Sequence, residues 1–388
     1  MSAAKGKAAE APAAAISRVQ ALAYRVVAQQ LDRPGVDDPA DLAIADLGIQ
    51  DSPAGTAALS VAARTAVPSG GEDPATQLAD GRRWVVTWAV RGAPHVLRAD
   101  DVRAMAAATW PADADDAAAR LAGFGAGTRK RGDDALAALR AAADALREVV
   151  GDTMTKGDVS NAVTKAVPKL SQPCRSCGTT HISDQLMRLA VLPAGLRLDP
   201  MASPVTLRPI ARWPGVPDEQ EGAGAIVEAY LRLHGPATPK EVAAYLQTGQ
   251  AAVKDVWPGG LAEVTVDGRR AWVPENALEA LRRAPAPELV RLLPRSDPWL
   301  MARDRELLVP GAAHRKALWP TLGFPGGLLV DGEIAGTWRT KATAARLDVT
   351  VQPFRRLSPT VRTALEAEAQ RVASVRAVPD VRVAYDGG

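Results

Sequence analysis

Between Gly224 and Val273 the apolar positions recur first every three or four residues and then every second residue. Ile226, Val227, Tyr230, Leu231 and Leu233 fall on one side of a helix, and Gly235-Pro236 stops it. Thr238 then has the makings of an N-cap, with Pro239 at the first helical position and Glu241 three residues after the cap. Val242, Ala243 and Leu246 supply that helix with an apolar side, and a third, short helix is predicted from Gln250 to Trp257. Leu261–Val266 and Arg269–Val273 alternate as strands and are joined by Asp267-Gly268, a strong two-residue hairpin signal. Three helices followed by a hairpin make a winged helix, a module whose third helix usually enters a DNA groove.

The same patterning sketches the rest of the chain. Ile16–Leu31 predicts a helix capped by Ser17, and Gly48 and Pro53 bracket a polar turn before a helix at about Gly55–Arg64. Trp84–Val90 has strand content, Arg91–His95 turns the chain, Val96-Leu97 returns it, and Asp100-Asp101 begin another helix. Helices are predicted at Asp133–Val150, Val159–Val167 and Ile182–Leu192, the last capped near Ser183, with a loop from Gln172 to His181. Leu196–Leu198 and Val205–Leu207 form a hairpin, so the order of elements suggests a second winged helix at about 134–209. The N-terminal part reads as a third, degenerate copy. Beyond Leu289 strands dominate: Leu289–Leu293, Leu307–Val309, Leu328–Val330, Glu333–Trp338 and Leu347–Gln352, with a tight turn at Asp331-Gly332. A small β-barrel or curled sheet is the simplest reading, closed by a helix over Pro359–Val375. The fold class expected is α+β: a disordered tail over 1–15, modules at 16–132, 133–210 and 222–284, and a β-rich module at 285–388.

Composition narrows the partners. The 388 residues are 47% hydrophobic, enough for real cores, and 47 Lys plus Arg against 44 Asp plus Glu leave a net charge of +3. Any nucleic-acid surface must then be a local patch rather than a global excess. No apolar run is long enough for a membrane span, the Ala-rich start lacks a signal core, and two cysteines argue against a secreted disulfide scaffold. A soluble, cytoplasmic, nucleoid-associated protein is expected, monomeric because no heptad run is visible.

Several clusters could carry chemistry. A glutamine amide both donates and accepts, so Gln50, beside Asp51 and Ser52, could hold a water; the other reading of this turn is a cap on the following helix, made by Asp51 or Ser52. Cys174, Cys177 and His181 follow zinc-knuckle spacing, with Asp184 as the local fourth ligand. A zinc there would be structural, and the alternative is two ordinary thiols in a loop. Arg91 and His95 could approach a phosphate or move a proton, or simply make a hydrogen-bonded hairpin turn. Lys240, Lys254, Arg269, Arg270 and Arg129-Lys130-Arg131 could meet DNA or be solvated charge, Arg269-Arg270 at the wing tip having the best claim. Arg303, Arg305 and Arg339 lie beside predicted strands and could face a groove or pair with Asp297 and Asp304, while Trp299 and Trp338 read as core. No phosphate-binding loop, dinucleotide fingerprint or nucleophile elbow is present, which weakens nucleotide hydrolase, dehydrogenase and esterase readings.

The order and spacing of these segments resemble those of the winged-helix family that contains the AlkZ/YcaQ-type DNA glycosylases. The resemblance is carried by ISRVQALAYRVVAQQL, LGIQDSPAGTAALSVAAR, VRGAPHVLRADD, HGPATPKEVAAYL, LLPRSDPWLMARDRELLVP, LLVDGEIAGTWR and VQPFRRLSPTVRTALEAEA. It implies tandem winged helices and a C-terminal β-barrel around double-stranded, damaged DNA, and cleavage of the N-glycosidic bond of alkylated or crosslinked bases with no cofactor. The family's Gln-apolar-Gln or Gln-apolar-Asp motif falls on Gln50, Asp51 and Ser52. The chain departs from it at the last two positions, since Asp51 is not apolar and Ser52 has neither amide nor carboxylate. The expectation is a monofunctional glycosylase of N7- or N3-adducted bases, with a non-enzymatic DNA-binding regulator as the alternative.

Overall fold

The computed structural model describes residues 14–66, 72–122, 134–174, 178–199 and 202–386. Residues 1–13 of the expected tail and the Arg129-Lys130-Arg131 loop lie outside them. The chain enters on β1 (Ala14–Ile16), which pairs in parallel with Val264–Val266. The sequence reading placed Ala14 and Ala15 in the tail; two alanines carry no strand signal of their own, and the edge they join supplies the ladder. In α1 (Arg18–Ala28) Ser17 and Gln20 make a reciprocal capping box. Then follow β2 (Ile49–Gln50), α2 (Thr56–Ala62), α3 (Pro74–Ala79), β3 (Trp84–Trp88) and β4 (Pro94–Arg98). Strand β4 runs between β2 and β3 and sets Gln50 opposite His95. Two helices, α4 (Val102–Thr109) and α5 (Ala114–Ala122), complete this part.

The middle part holds α6 (Ala135–Val149), β5 (Met154–Thr155), α7 (Lys156–Ala166), β6 (Ser171–Cys174), β7 (Thr179–Ile182), α8 (Asp184–Val191), β8 (Leu196–Asp199) and β9 (Thr206–Pro209). The expected Gln172–His181 loop is largely an antiparallel hairpin, β6 with β7, with Gln172 opposite His181. Strands β5, β9 and β8 form a small sheet. Next come α9 (Ala223–His234), α10 (Pro239–Leu246), α11 (Gln250–Asp255), β10 (Leu261–Val266), β11 (Arg269–Pro274) and α12 (Leu278–Arg283). Here the local signals are realised as read: Thr238 and Glu241 close a capping box, and Asp267 (φ 44°) and Gly268 (φ 82°) turn the hairpin with both central residues left-handed. One apolar core runs from Leu42 through Trp84, Leu146 and Leu186 to Tyr230 and Val253, so these parts share an interior.

The last part is β12 (Val290–Leu293), α13 (Pro298–Met301), α14 (Arg305–Leu308), α15 (Ala312–Leu318), β13 (Gly326–Val330), β14 (Glu333–Ala342), β15 (Arg346–Pro353), α16 (Pro359–Val375) and β16 (Asp380–Tyr385). Its sheet runs β12-β13-β14-β15-β16 and, among the described residues, stays open as a half-barrel-like sheet. Leu365, Ala369, Val372 and Ala373 of α16 cover Leu347, Val349 and Val351. Two expectations fail here. Leu307–Val309 is not a strand: its first two residues end α14, where the Asp304 carbonyl accepts from Leu307 and Leu308. And α16 does not close the fold but crosses over to β16, which pairs in parallel with β15, as a parallel pair requires.

Candidate functional site at the Gln50 turn

Gln50 ends β2 at the point where the chain turns into α2, half-buried, with exposed Pro53–Gly55 beyond it. Its Oε1 accepts a hydrogen bond from Arg91 Nη2 at 2.8 Å. A guanidinium only donates, so this contact fixes the carboxamide with its oxygen toward Arg91 and its NH2 group turned the other way. Arg91 is itself held firmly. It donates to the Tyr245 carbonyl at 2.6 Å, lies 4.8 Å from the Tyr245 ring centre, and approaches Met301 Sδ at 3.9 Å. Its backbone is left-handed (φ 62°), a conformation uncommon for a residue with a Cβ and one that functional sites often retain. Tyr245 and Met301, neither suggested by the sequence, come from α10 and α13, so three separate parts of the chain, with Gln50 of β2, meet on Arg91.

Asp51 faces the other way. It is 8% exposed, and Oδ1 accepts from the Ala57 backbone N at 2.9 Å and lies 3.5 Å from the Thr56 hydroxyl. Burial raises its pKa, opposed by hydrogen bonds from Ala57, Gly55 and Thr56. This is the capping geometry of the two sequence readings. Ser52 is half-buried, and its carbonyl accepts from Arg295 Nε at 3.1 Å. Ser296 Oγ donates 2.7 Å to the Thr56 hydroxyl and lies 3.3 Å from the Gln50 carbonyl. The segment Arg295-Ser296 therefore buttresses the turn from behind.

A comparison with known proteins can be set on this geometry. The model of the family described as DNA glycosylase AlkZ-like matches residues 23–375. The chain belongs to that family. It is 31% identical over 179 residues to a Streptomyces sahachiroi protein named interstrand DNA cross-link repair glycosylase, covering 43% of this chain and 46% of that one. The match thus spans about half the length of that curated relative. The solved structure of the S. sahachiroi DNA glycosylase AlkZ superposes with a TM-score of 0.75, covering 95% of this chain and 99% of that one at 22% identity, which establishes a shared fold.

Within this AlkZ-like frame the other predicted residues scatter. His95 is 1% exposed, its Nδ1 2.9 Å from the Ala93 carbonyl; burial, then the charge of Arg91, pushes its pKa down to about 3. It is a buried, hydrogen-bonded turn histidine held in the neutral form. Lys240, Lys254, Arg269, Arg270 and Arg339 are exposed. Arg269 meets Glu241 at 2.6 Å, Arg270 meets Glu263 at 2.7 Å, and Arg339 donates to the Gly323 carbonyl at 2.6 Å. Arg303 is not beside a strand but between α13 and α14, against Tyr230 and Tyr245. The carboxylates expected to pair with it go elsewhere: Asp297 to Arg64 and Asp304 to Arg25, all four side chains buried. Trp299 and Trp338 are core, 1% and 4% exposed.

Cys174 and His181 lie on the facing strands β6 and β7, close enough that Cys174 raises the His181 pKa after the dominant hydrogen bond to the Ile182 carbonyl. Cys177 lies outside the described residues. Asp184 is engaged by Lys156 at 2.5 Å and Arg188 at 2.7 Å, which removes the fourth ligand considered from sequence. Among the described residues no group of three metal-binding side chains comes together. A cavity of about 710 Å3 opens between α4 and α9 and is lined by Met105, Ile226, Arg103 and Arg232 among others, not by Gln50. Among the described residues no helix is long and apolar enough to cross a membrane.

Proposed function

We propose that the chain is a monofunctional DNA glycosylase that releases N7- or N3-alkylated and bulkier purine adducts from duplex DNA. The observation that carries it is the Arg91-held carboxamide of Gln50 in a chain of this family. A carboxamide is no base, so the arrangement suits a nucleobase that alkylation has already made cationic before it leaves. The C1′–N9 bond breaks with its electron pair moving to the alkylated purine, which departs neutral. Water adds to the oxocarbenium carbon and its proton passes to solvent. With one lone pair of Oε1 committed to Arg91, the other can accept from that water while Nε2 donates to the nucleotide. The relative named as a cross-link repair glycosylase supports a bulky lesion as substrate. Tandem winged helices at 133–210 and 222–284, a degenerate one at 16–132 and the β-rich module at 285–388 would form the DNA cradle, with Lys240, Lys254, Arg269, Arg270 and Arg339 on phosphates. We place the protein as a monomer at the nucleoid in the cytoplasm. Cys174, Cys177 and His181 would hold a structural zinc, needed by no step.

One observation favours a non-catalytic DNA-binding protein instead: the carboxylate nearest Gln50, that of Asp51, points into α2. Single-turnover base release from duplexes carrying N7-methylguanine or a nitrogen-mustard crosslink decides between the two. Release that falls at least about 100-fold in Gln50→Ala, with duplex binding retained, supports the enzyme. Binding without release on both substrates supports the alternative.

A further inference from the structure

Four guanidiniums act on the buried His234 ring. Burial and then the charges of Arg25, Arg303, Arg64 and Arg91 hold its pKa well below the ordinary value. Two of the four are neutralised, Arg25 by Asp304 and Arg64 by Asp297. The other two are not: among the described residues neither Arg91 nor Arg303 has a carboxylate within 4.0 Å. Arg91 spends its donors on neutral acceptors, Gln50 Oε1 and the Tyr245 carbonyl. Arg303 Nε is buried with no hydrogen-bond partner. Burial, and next the charge of Arg91, lower the Arg303 pKa to about 10. A desolvated guanidinium without a counter-ion is costly, and this fold keeps two close enough to act on each other's charge, one of them bonded to the Gln50 carboxamide.

We propose that Arg91 and Arg303 form a binding site for one phosphodiester of the DNA backbone, the one adjoining the nucleotide whose C1′ faces Gln50. The assignment rests on the glycosylase reading. A phosphodiester brings one negative charge and two non-bridging oxygens, which planar guanidinium donors match in pairs. It would supply the acceptor Arg303 Nε lacks and the charge both side chains lack. Anchoring that phosphate fixes the sugar relative to the Gln50 carboxamide, so binding energy becomes orientation at the reacting carbon.

The test uses the full chain with Arg303→Met and Arg303→Lys. It measures melting, binding to a duplex with a tetrahydrofuran abasic site, and release of N7-methylguanine. Single neutral methylphosphonate linkages are scanned across two nucleotides on each side of the site. Arg303→Met is expected to melt roughly 2–4 °C higher, because an unpaired buried charge is gone. It should bind the duplex roughly 10- to 100-fold more weakly, with a log K against log salt slope shallower by about 0.9, one phosphate's worth. One methylphosphonate position should cost the wild type a similar factor and cost Arg303→Met nothing. Arg303→Lys should keep the salt slope and lose part of the affinity. The proposal is overturned if Arg303→Met melts lower with its salt slope unchanged, or if no linkage makes wild type and variant converge. Inorganic phosphate that protects only the wild type from melting at matched ionic strength, with no converging linkage, would assign the site to a free anion and also overturn it. Wild type that binds the abasic duplex but releases no base sinks the glycosylase reading alone, and the methylphosphonate scan still decides the site.

Discussion

Asp51 occupies the middle of the turn that carries the proposed chemistry, and its two readings predict opposite behaviour for one substitution. Asp51→Asn keeps a carbonyl oxygen where Oδ1 now accepts from the Ala57 N at 2.9 Å and removes only the charge. Because burial raises the Asp51 pKa, the folded state holds the proton more tightly than the unfolded chain. Stability from this group is therefore greatest below the unfolded pKa and declines as pH rises through the folded one, so at pH 7 the ionised side chain is a net cost. Asp51→Asn should accordingly leave unfolding free energy within about 1 kcal/mol of wild type, on the stable side, trading a charge-assisted hydrogen bond for a neutral one without the desolvation penalty. Asp51→Ala loses the cap and strands a buried amide, a loss of about 1–3 kcal/mol. Urea unfolding at pH 4 and pH 8 measures both, and because the Asp51 pKa is raised from its unfolded value the gap between Asp51→Asn and wild type should widen at the higher pH. Single-turnover release of N7-methylguanine completes the test. If Asp51 only caps, Asp51→Asn releases base within a few-fold of wild type. A loss of about 100-fold or more with unchanged stability would refute the capping argument and give Asp51 a place on the substrate.

Two further outcomes follow from buried charge. Asp297→Ala leaves Arg64 without its carboxylate in a pair whose side chains are both 0% exposed, so it should cost about 3–5 kcal/mol, read by urea unfolding; a cost below about 1 kcal/mol would show that water reaches the pair. His95 and His234 are both buried and neutral, His95 with a pKa of about 3. Their folded pKa values lie below the unfolded ones, so the unfolded chain takes up the protons and stability falls as pH drops below about 6.5. His95 should contribute about 2 kcal/mol of destabilisation by pH 5 and His234 adds in the same direction, and proton uptake on unfolding at that pH, from calorimetry in buffers of different ionisation enthalpy, should drop by about one in His95→Gln.

What the sequence disclosed was local. Thr238 with Glu241, Asp267-Gly268 and Asp331-Gly332 act on backbone within a few residues, and each forms what its chemistry requires. The same local signals named Gln50 and Arg91 without saying that they touch, since strand pairing across 41 residues brings them together. Tyr245 was invisible as a partner because it lies 154 residues from Arg91 in sequence and receives it through a backbone carbonyl as well as its ring face. For Asp51 and His95 both readings fitted the sequence, and the burial that favours the cap and the turn comes from distant segments. Ala14–Ile16 and Leu307–Val309 went wrong for complementary reasons. One opens with two alanines of no strand propensity but finds an edge, and the other has apolar content that a helical turn uses instead.

The two carboxylates misassigned from sequence explain how the site is held. Asp297 and Asp304 bracket the short segment that carries Met301 and Arg303, and each reaches back to an arginine of the N-terminal part, Arg64 after α2 and Arg25 in α1. Arg64 also bonds the Gln29 carbonyl at 2.8 Å and Asp297 caps α13, so each ion pair has its remaining donors and acceptors satisfied. Buried pairs of this kind contribute little net stability against an apolar alternative. What they do contribute is register: two bidentate contacts admit one placement of the 294–304 segment against α1 and α2. That placement sets Ser296 on Thr56, Arg295 on Ser52 and Met301 on Arg91. The neutralised arginines thus position the two unneutralised ones, and the Gln50 turn is shaped less by its own residues than by a segment some 240 positions away.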